Sequence, residues 1–205
     1  FMEVREKGKL YDGTIIPFRQ LPCIIVDGKS ICQTGGISRF CGKQSNLYPT
    51  NNDVEAALVD QVIDMASDIT DLISNSNLLV RKMKFSSSVS EKMEISNSEL
   101  SEEENKKFIR EELYNGPLLR KVKFLEDLLD DNNNWFVDNK ISIADIAIWR
   151  FLGWLSSGTI DYFPTDMLKN LPYLKKICNN VNDHPGVKEW IKLKYPDNYP
   201  LGNFS

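Results

Sequence analysis

The dipeptide Asp27-Gly28, set between two short apolar runs, constrains this chain more than any other feature. Both central positions of a type I′ turn need positive φ, which makes Asp-Gly a strong hairpin signal. Cys23-Ile24-Ile25-Val26 is apolar and β-branched and reads as a buried strand, with Lys29-Ser30-Ile31-Cys32 as its return. Gln20-Leu21-Pro22 leads into the hairpin, and Gln33-Thr34 follows it where strand gives way to helix. Thr34 is the candidate N-cap, and a helix N-terminus offers free backbone N–H groups to an anion. Gly35-Gly36 should loosen that helix, since each Gly costs up to about 1 kcal/mol against Ala.

Composition narrows the function. The length of 205 residues allows one large domain or two small ones and a core that needs no metal or disulfide. A net charge of -4 argues against nucleic acid, which wants a basic face. No apolar run approaches the roughly 18 residues of a membrane span, and the start of the chain lacks a signal-peptide layout, so a cytoplasmic protein is expected. Cys23, Cys32 and Cys41 recur at intervals that fit neither a zinc knuckle nor a CxxC pair; with Cys178 they read as reduced core thiols. The single histidine, His184, precedes Pro185 at an apparent helix start, and a structural role is expected for it.

The ordered set Gln20-Leu21-Pro22, Asp27-Gly28, Gln33-Thr34 and Ile37-Ser38-Arg39-Phe40 resembles the second half of the thioredoxin-like domain of cytosolic glutathione transferases. The likeness is nearest the Tyr-using branch (sigma, mu and pi types). Several expectations follow from it. Leu21-Pro22 is a cis dipeptide that turns the adjoining backbone, up to Cys23, toward the cysteinyl residue of glutathione. Gln20 belongs to the same stretch. Gln33 and Thr34 receive the γ-glutamyl carboxylate. The family often places a Trp and a Lys in the connector that here runs from Glu6 to Ile16; no Trp is present, and Lys9 is the candidate for the glycyl carboxylate. Glu55-Ala56-Ala57-Leu58-Val59-Asp60 matches a further family motif, which puts Asp64 where a carboxylate crosses a homodimer interface to the glutathione amino group. No catalytic residue and no metal ligand is assigned, and no cofactor is expected beyond glutathione as co-substrate.

The segment Phe1-Met2-Glu3-Val4-Arg5 alternates apolar and polar residues and reads as a strand, equivalent by the resemblance to the family's second. The family's first strand and helix, which carry the Tyr, Ser or Cys that activates the glutathione sulfur, are not in the sequence. Either the sequence is a fragment of a longer product or the protein has lost that unit; the first is expected, because an open sheet missing a central strand would leave unpaired backbone groups. The partial thioredoxin-like domain is assigned to 1–46 and an all-helical domain to 47–205, with Gly42 to Asn52 as linker.

The second part reads as helices. Val54 to about Phe85 is one long helix with two apolar stripes, Leu58, Val62, Met65, Ile69, Leu72 and Val59, Ile63, Ala66, Ile73. Two such faces want two partners, as in the family's dimer. Ser86 to Asn105 is rich in Ser and Glu and reads as a mobile loop or extended helix end. Lys106 to Asp130 is helical with a break at Gly116-Pro117. Ser142 and Asp145 stand as the Ncap and N3 of a capping box before an almost wholly apolar helix that must be central, and Asp145 is given a folding role. Leu171 to Val181 and Pro185 to Lys194 are two more helices, and Tyr195 to Ser205 is a Pro/Asn-rich tail.

The resemblance implies conjugation of reduced glutathione to small apolar electrophiles. A non-catalytic ligand-binding member of the same fold, or a protein-interaction module, stands as the alternative.

Overall fold

A computed structural model describes residues 2–85, 100–137 and 139–205. The chain divides into two compact units, Phe1–Val59 and Asp60–Ser205.

The first unit begins with helix α1 (Met2–Lys7), where alternation led us to expect a strand. Among the described residues the sheet has two strands and neither is paired with this segment. A helix satisfies its own backbone groups, whereas an unpaired strand does not. Val4 still points inward, joining Ile16 and Cys32 in a small core on which Leu10 and Cys23 pack. The connector folds back on itself through Leu10 N–H to Thr14 O (2.9 Å), Ile16 N–H to Gly8 O (2.8 Å) and a bridge between Lys9 and Ile15. Strands β1 (Cys23–Val26) and β2 (Lys29–Cys32) pair antiparallel, Val26 with Lys29 and outward to Cys23 with Cys32. Asp27 and Gly28 have φ of 49° and 74°, as a type I′ turn demands. Helix α2 (Thr34–Gln44) follows, running through Gly35-Gly36 and into the stretch we expected to be linker. The long helix α3 (Asp53–Phe85) starts in this unit and continues into the next.

The second unit is helical. Leu100 and Ser101 precede helix α4 (Glu102–Leu113), so the end of the expected loop is a helix start; residues 86–99 of that loop lie outside the described residues. Ser101 and Glu104 form a capping box at the start of α4. At Gly116-Pro117 the helix widens into one π-turn, Tyr114–Leu118, before α5 (Leu119–Glu126). Proline has no N–H for an i→i−4 bond, so the break falls where the sequence requires one. Helix α6 (Ile143–Leu155) is central: Ala144, Ile148, Leu152 and Leu155 are wholly inaccessible. It packs on α7 (Pro172–Asp183), whose Leu174, Ile177, Cys178 and Val181 are equally closed off. Each Leu, Ile or Val among them contributes about 1.5–3 kcal/mol by burial.

Two polar devices tie these helices together. Asp145, fully buried, accepts from Phe136 N, Ser142 N and Ser142 Oγ, each at 2.8 Å. Burial pushes its carboxyl upward against those donors, which pull it down. Glu126, the last residue of α5, caps α7 across space, accepting from Tyr173 N (2.9 Å) and Leu174 N (2.8 Å). Helix α8 (Pro185–Lys194) closes the order, with His184 shared as the cap of both neighbours, a structural position as expected. The tail packs on α6. Asn203 N donates to Ser156 Oγ (2.9 Å), Arg150 Nη1 to Leu201 O (3.3 Å), and Phe204 stacks on Trp149.

Candidate glutathione site

The hairpin register builds the site. Because Cys23 lies opposite Cys32, the residue before one strand, Pro22, lies beside the residue after the other, Gln33. The Cys32 thiol reaches the Gln20 carbonyl at 4.0 Å, so Gln20 is drawn to the same end. The Leu21-Pro22 peptide is cis. Phe18 and Arg19 take φ of 61° and 54°, two consecutive left-handed non-glycine residues just before Gln20. Such backbone is costly for L side chains and gathers where function constrains the chain.

On the other side, the helix cap is one residue earlier than the sequence suggests. Gln33 is the Ncap, with φ 72° and ψ 126°, and Thr34 is the first helical residue. The shift follows from the hairpin: β2 ends at Cys32, and Gln33 alone makes the corner. No side chain caps α2. The first-turn N–H groups of a helix have no intrahelical acceptor, and here no capping side chain supplies one; Thr34 stands exposed beside them. An anion placed there meets the positive end of the helix dipole and N–H donors aimed outward.

The structure thus brings together Gln20, Leu21, Pro22 and Cys23 with Gln33 and Thr34 in one unit. Gln20, Leu21, Pro22, Gln33 and Thr34 are exposed, and Cys23 is half-buried. Lys9 is exposed on the connector, at its bridge with Ile15. Asp64 is exposed on α3, beyond the boundary of this unit. The four cysteines are free thiols, but they are not all core thiols: Cys41 is exposed. Equal spacing does not give equal facing, because Cys23 and Cys32 are on strands and Cys41 is on a helix. Cys32 is the member of this site that motif reading passed over. Its signal was in the sequence, since Cys23 precedes Asp27 by as many residues as Cys32 follows Gly28.

Comparison with known proteins bears on the family of the chain. Residues 92–194 match the family model described as "Glutathione S-transferase, C-terminal domain". The chain is similar to human glutathione S-transferase A3, 24% identical over 194 residues, covering 94% of this chain and 75% of that protein. It is 24% identical over 182 residues to human hematopoietic prostaglandin D synthase, covering 87% of this chain and 75% of the relative. Among solved structures, prostaglandin synthase D of Nilaparvata lugens superimposes with a TM-score of 0.66 at 25% identity, covering 88% of this chain and 76% of that one. The fold is shared with that structure. The family model spans half of the chain, and the relatives span nearly all of it: this chain belongs to the glutathione S-transferase family.

Proposed function

We propose that this chain is a cytoplasmic glutathione transferase that conjugates reduced glutathione to small apolar electrophiles, a detoxifying reaction. The observation that carries the reading is the juxtaposition of Leu21-Pro22-Cys23 with an uncapped helix start at Gln33-Thr34. An extended tripeptide has what such a cleft needs. Its γ-glutamyl carboxylate takes the first-turn N–H groups of α2 and the Thr34 hydroxyl. The backbone beside Pro22 pairs with its cysteinyl residue, Gln20 and Gln33 flank it, and Lys9 serves its glycyl carboxylate.

Thiolate is the nucleophile in such chemistry, and a lowered thiol pKa raises its fraction at neutral pH. The residues assigned here orient glutathione, and no catalytic role is assigned to any of them. In a homodimer built on α3, Asp64 of one protomer would face the glutathione amino group held by the other. Part of one apolar stripe of α3 supports that arrangement: Val62 and Ile69 are buried within one chain, as are Val59, Ile63, Ala66 and Ile73 of the other stripe, but Leu58 is exposed and Met65 and Leu72 are only half-buried.

Thr34→Ala tests the site. The hydroxyl is proposed to bond an ionised carboxylate, and such bonds contribute about 1.5–3 kcal/mol. Calorimetric titration with glutathione should show a roughly tenfold to hundredfold loss of affinity. Thermal melts of the unliganded protein should be nearly unchanged. A variant that melts earlier but binds glutathione like the parent would make Thr34 a structural residue and remove the assignment.

A further inference from the structure

Cys23 and Cys32 are directly opposed in the hairpin, and the turn determines how. In a two-residue hairpin the pair flanking the turn, Val26 and Lys29, exchanges hydrogen bonds, and bonded pairs then alternate along the ladder. Counting outward, Ile25/Ser30 is non-bonded, Ile24/Ile31 bonded and Cys23/Cys32 non-bonded. Non-bonded partners have Cα atoms about 4.5 Å apart and side chains that approach on one face. A disulfide needs Cα atoms about 4.4–6.8 Å apart. Both thiols also belong to one small core: Cys32 packs with Val4 and Ile16, and Cys23 lies against that cluster. The nearness of the Cys23 sulfur and burial both push the Cys32 thiol upward, burial the more. Their other sulfur contacts are long and weak, Cys23 to Ile24 O at 3.7 Å and Cys32 to Gln20 O at 4.0 Å.

We propose that Cys23 and Cys32 form a reversible redox pair, closed by exchange with a small-molecule disulfide such as oxidised glutathione. Cys23 is half-buried and Cys32 buried, so the external disulfide meets Cys23 first. The Cys23 thiolate attacks one sulfur of the small disulfide, forming a mixed disulfide and releasing one small thiolate. Cys32, having given up its proton, attacks the Cys23 sulfur and releases the second. The small disulfide gains two electrons and becomes two thiols; the two cysteines lose them and become one disulfide; the two protons end on the released thiols. The bond would join the residue after Pro22 to the residue before Gln33, fastening the two sides of the cleft. The pairing rests on the hairpin register and does not depend on glutathione being a substrate.

The test uses the full chain equilibrated with mixtures of reduced and oxidised glutathione, quenched in acid, alkylated and digested with trypsin. Cleavage after Arg19, Lys29, Arg39 and Lys43 leaves Cys23, Cys32 and Cys41 on separate peptides. The expected product is peptide 20–29 linked to peptide 30–39, gained in oxidising mixtures and lost on reduction. In Cys32→Ala, and equally in Cys32→Ser, the cross-link should vanish and a glutathione mixed disulfide should accumulate on Cys23. Cys41→Ser should leave the cross-link in place. Full alkylation of both strand cysteines in the most oxidising mixture would overturn the proposal. So would a cross-link that depends on Cys41, or an unchanged mixed-disulfide level at Cys23 when Cys32 is removed.

Discussion

Among the described residues the same capping motif occurs twice, once in water and once in the core, and the pair offers a calibrated perturbation. At α4, Glu104 accepts from Ser101 N (2.8 Å) and Ser101 Oγ (2.6 Å) on an exposed surface. At α6, Asp145 accepts from Ser142 N, Ser142 Oγ and Phe136 N with no solvent access of its own. Asp145→Ala leaves the Ser142 and Phe136 N–H groups without an acceptor. A buried orphan donor costs about 1–3 kcal/mol. The Ser142 hydroxyl can turn toward another acceptor, and losing a buried carboxylate returns part of the cost. The net destabilisation is about 2–5 kcal/mol, which for a chain of this size lowers Tm by about 5–15 °C. Glu104→Ala opens the same motif where water replaces the lost acceptor, so its Tm should fall by only a small fraction of that. Urea unfolding and thermal melts followed by circular dichroism, run on both variants side by side, measure the contrast. Equal shifts would refute the argument that burial, rather than the motif, sets the worth of a capping box.

Three further outcomes are expected. Lys106 and Asp161 lie 2.5 Å apart, and that contact lowers the Asp161 carboxyl from its ordinary 3.8. Because the folded value is the lower one, the contribution is present above about pH 4 and is lost as pH falls through the folded value. A carboxyl NMR titration of Asp161 should therefore show a depressed midpoint that rises in Lys106→Gln. Gly153→Ala would place a methyl group 2.2 Å from Leu201 O and 3.1 Å from the Phe204 ring, forcing the tail off α6. Overpacking of that kind costs about 1–3 kcal/mol, and limited proteolysis should cut the variant's tail sooner than the parent's. Finally, sedimentation at micromolar concentration should find a dimer that Leu58→Glu dissociates; a parent chain that sediments as a stable monomer would remove the trans role of Asp64.

Much of this architecture could be read from local chemistry. Asp27-Gly28 determined a hairpin because few other sequences accept two positive φ angles in succession. The turn then set the register and, through it, the pairing of Cys23 with Cys32 and the meeting of Pro22 with Gln33. Ser142 and Asp145 marked a helix start because a capping box satisfies orphan donors within one turn. Gly116-Pro117 marked a break because proline cannot donate. These are short-range constraints, complete within a few residues.

What the sequence left open depends on neighbours distant along the chain. Alternation in Met2 to Arg5 permits a strand, yet a strand needs an edge to pair with, and the segment folds as a helix that buries Val4. The Ncap of α2 fell on Gln33 because the hairpin ends one residue before it, a matter of where the backbone must turn. The tail after Tyr195 looks like a loose end by composition, but Gly153 and Gly202 lack the side chains that would hold the two segments apart. Glu126 shows the same limit: nothing in its own turn announces that it caps α7, nearly fifty residues on. Local preference decides which elements form, and tertiary packing decides which polar groups and which faces meet.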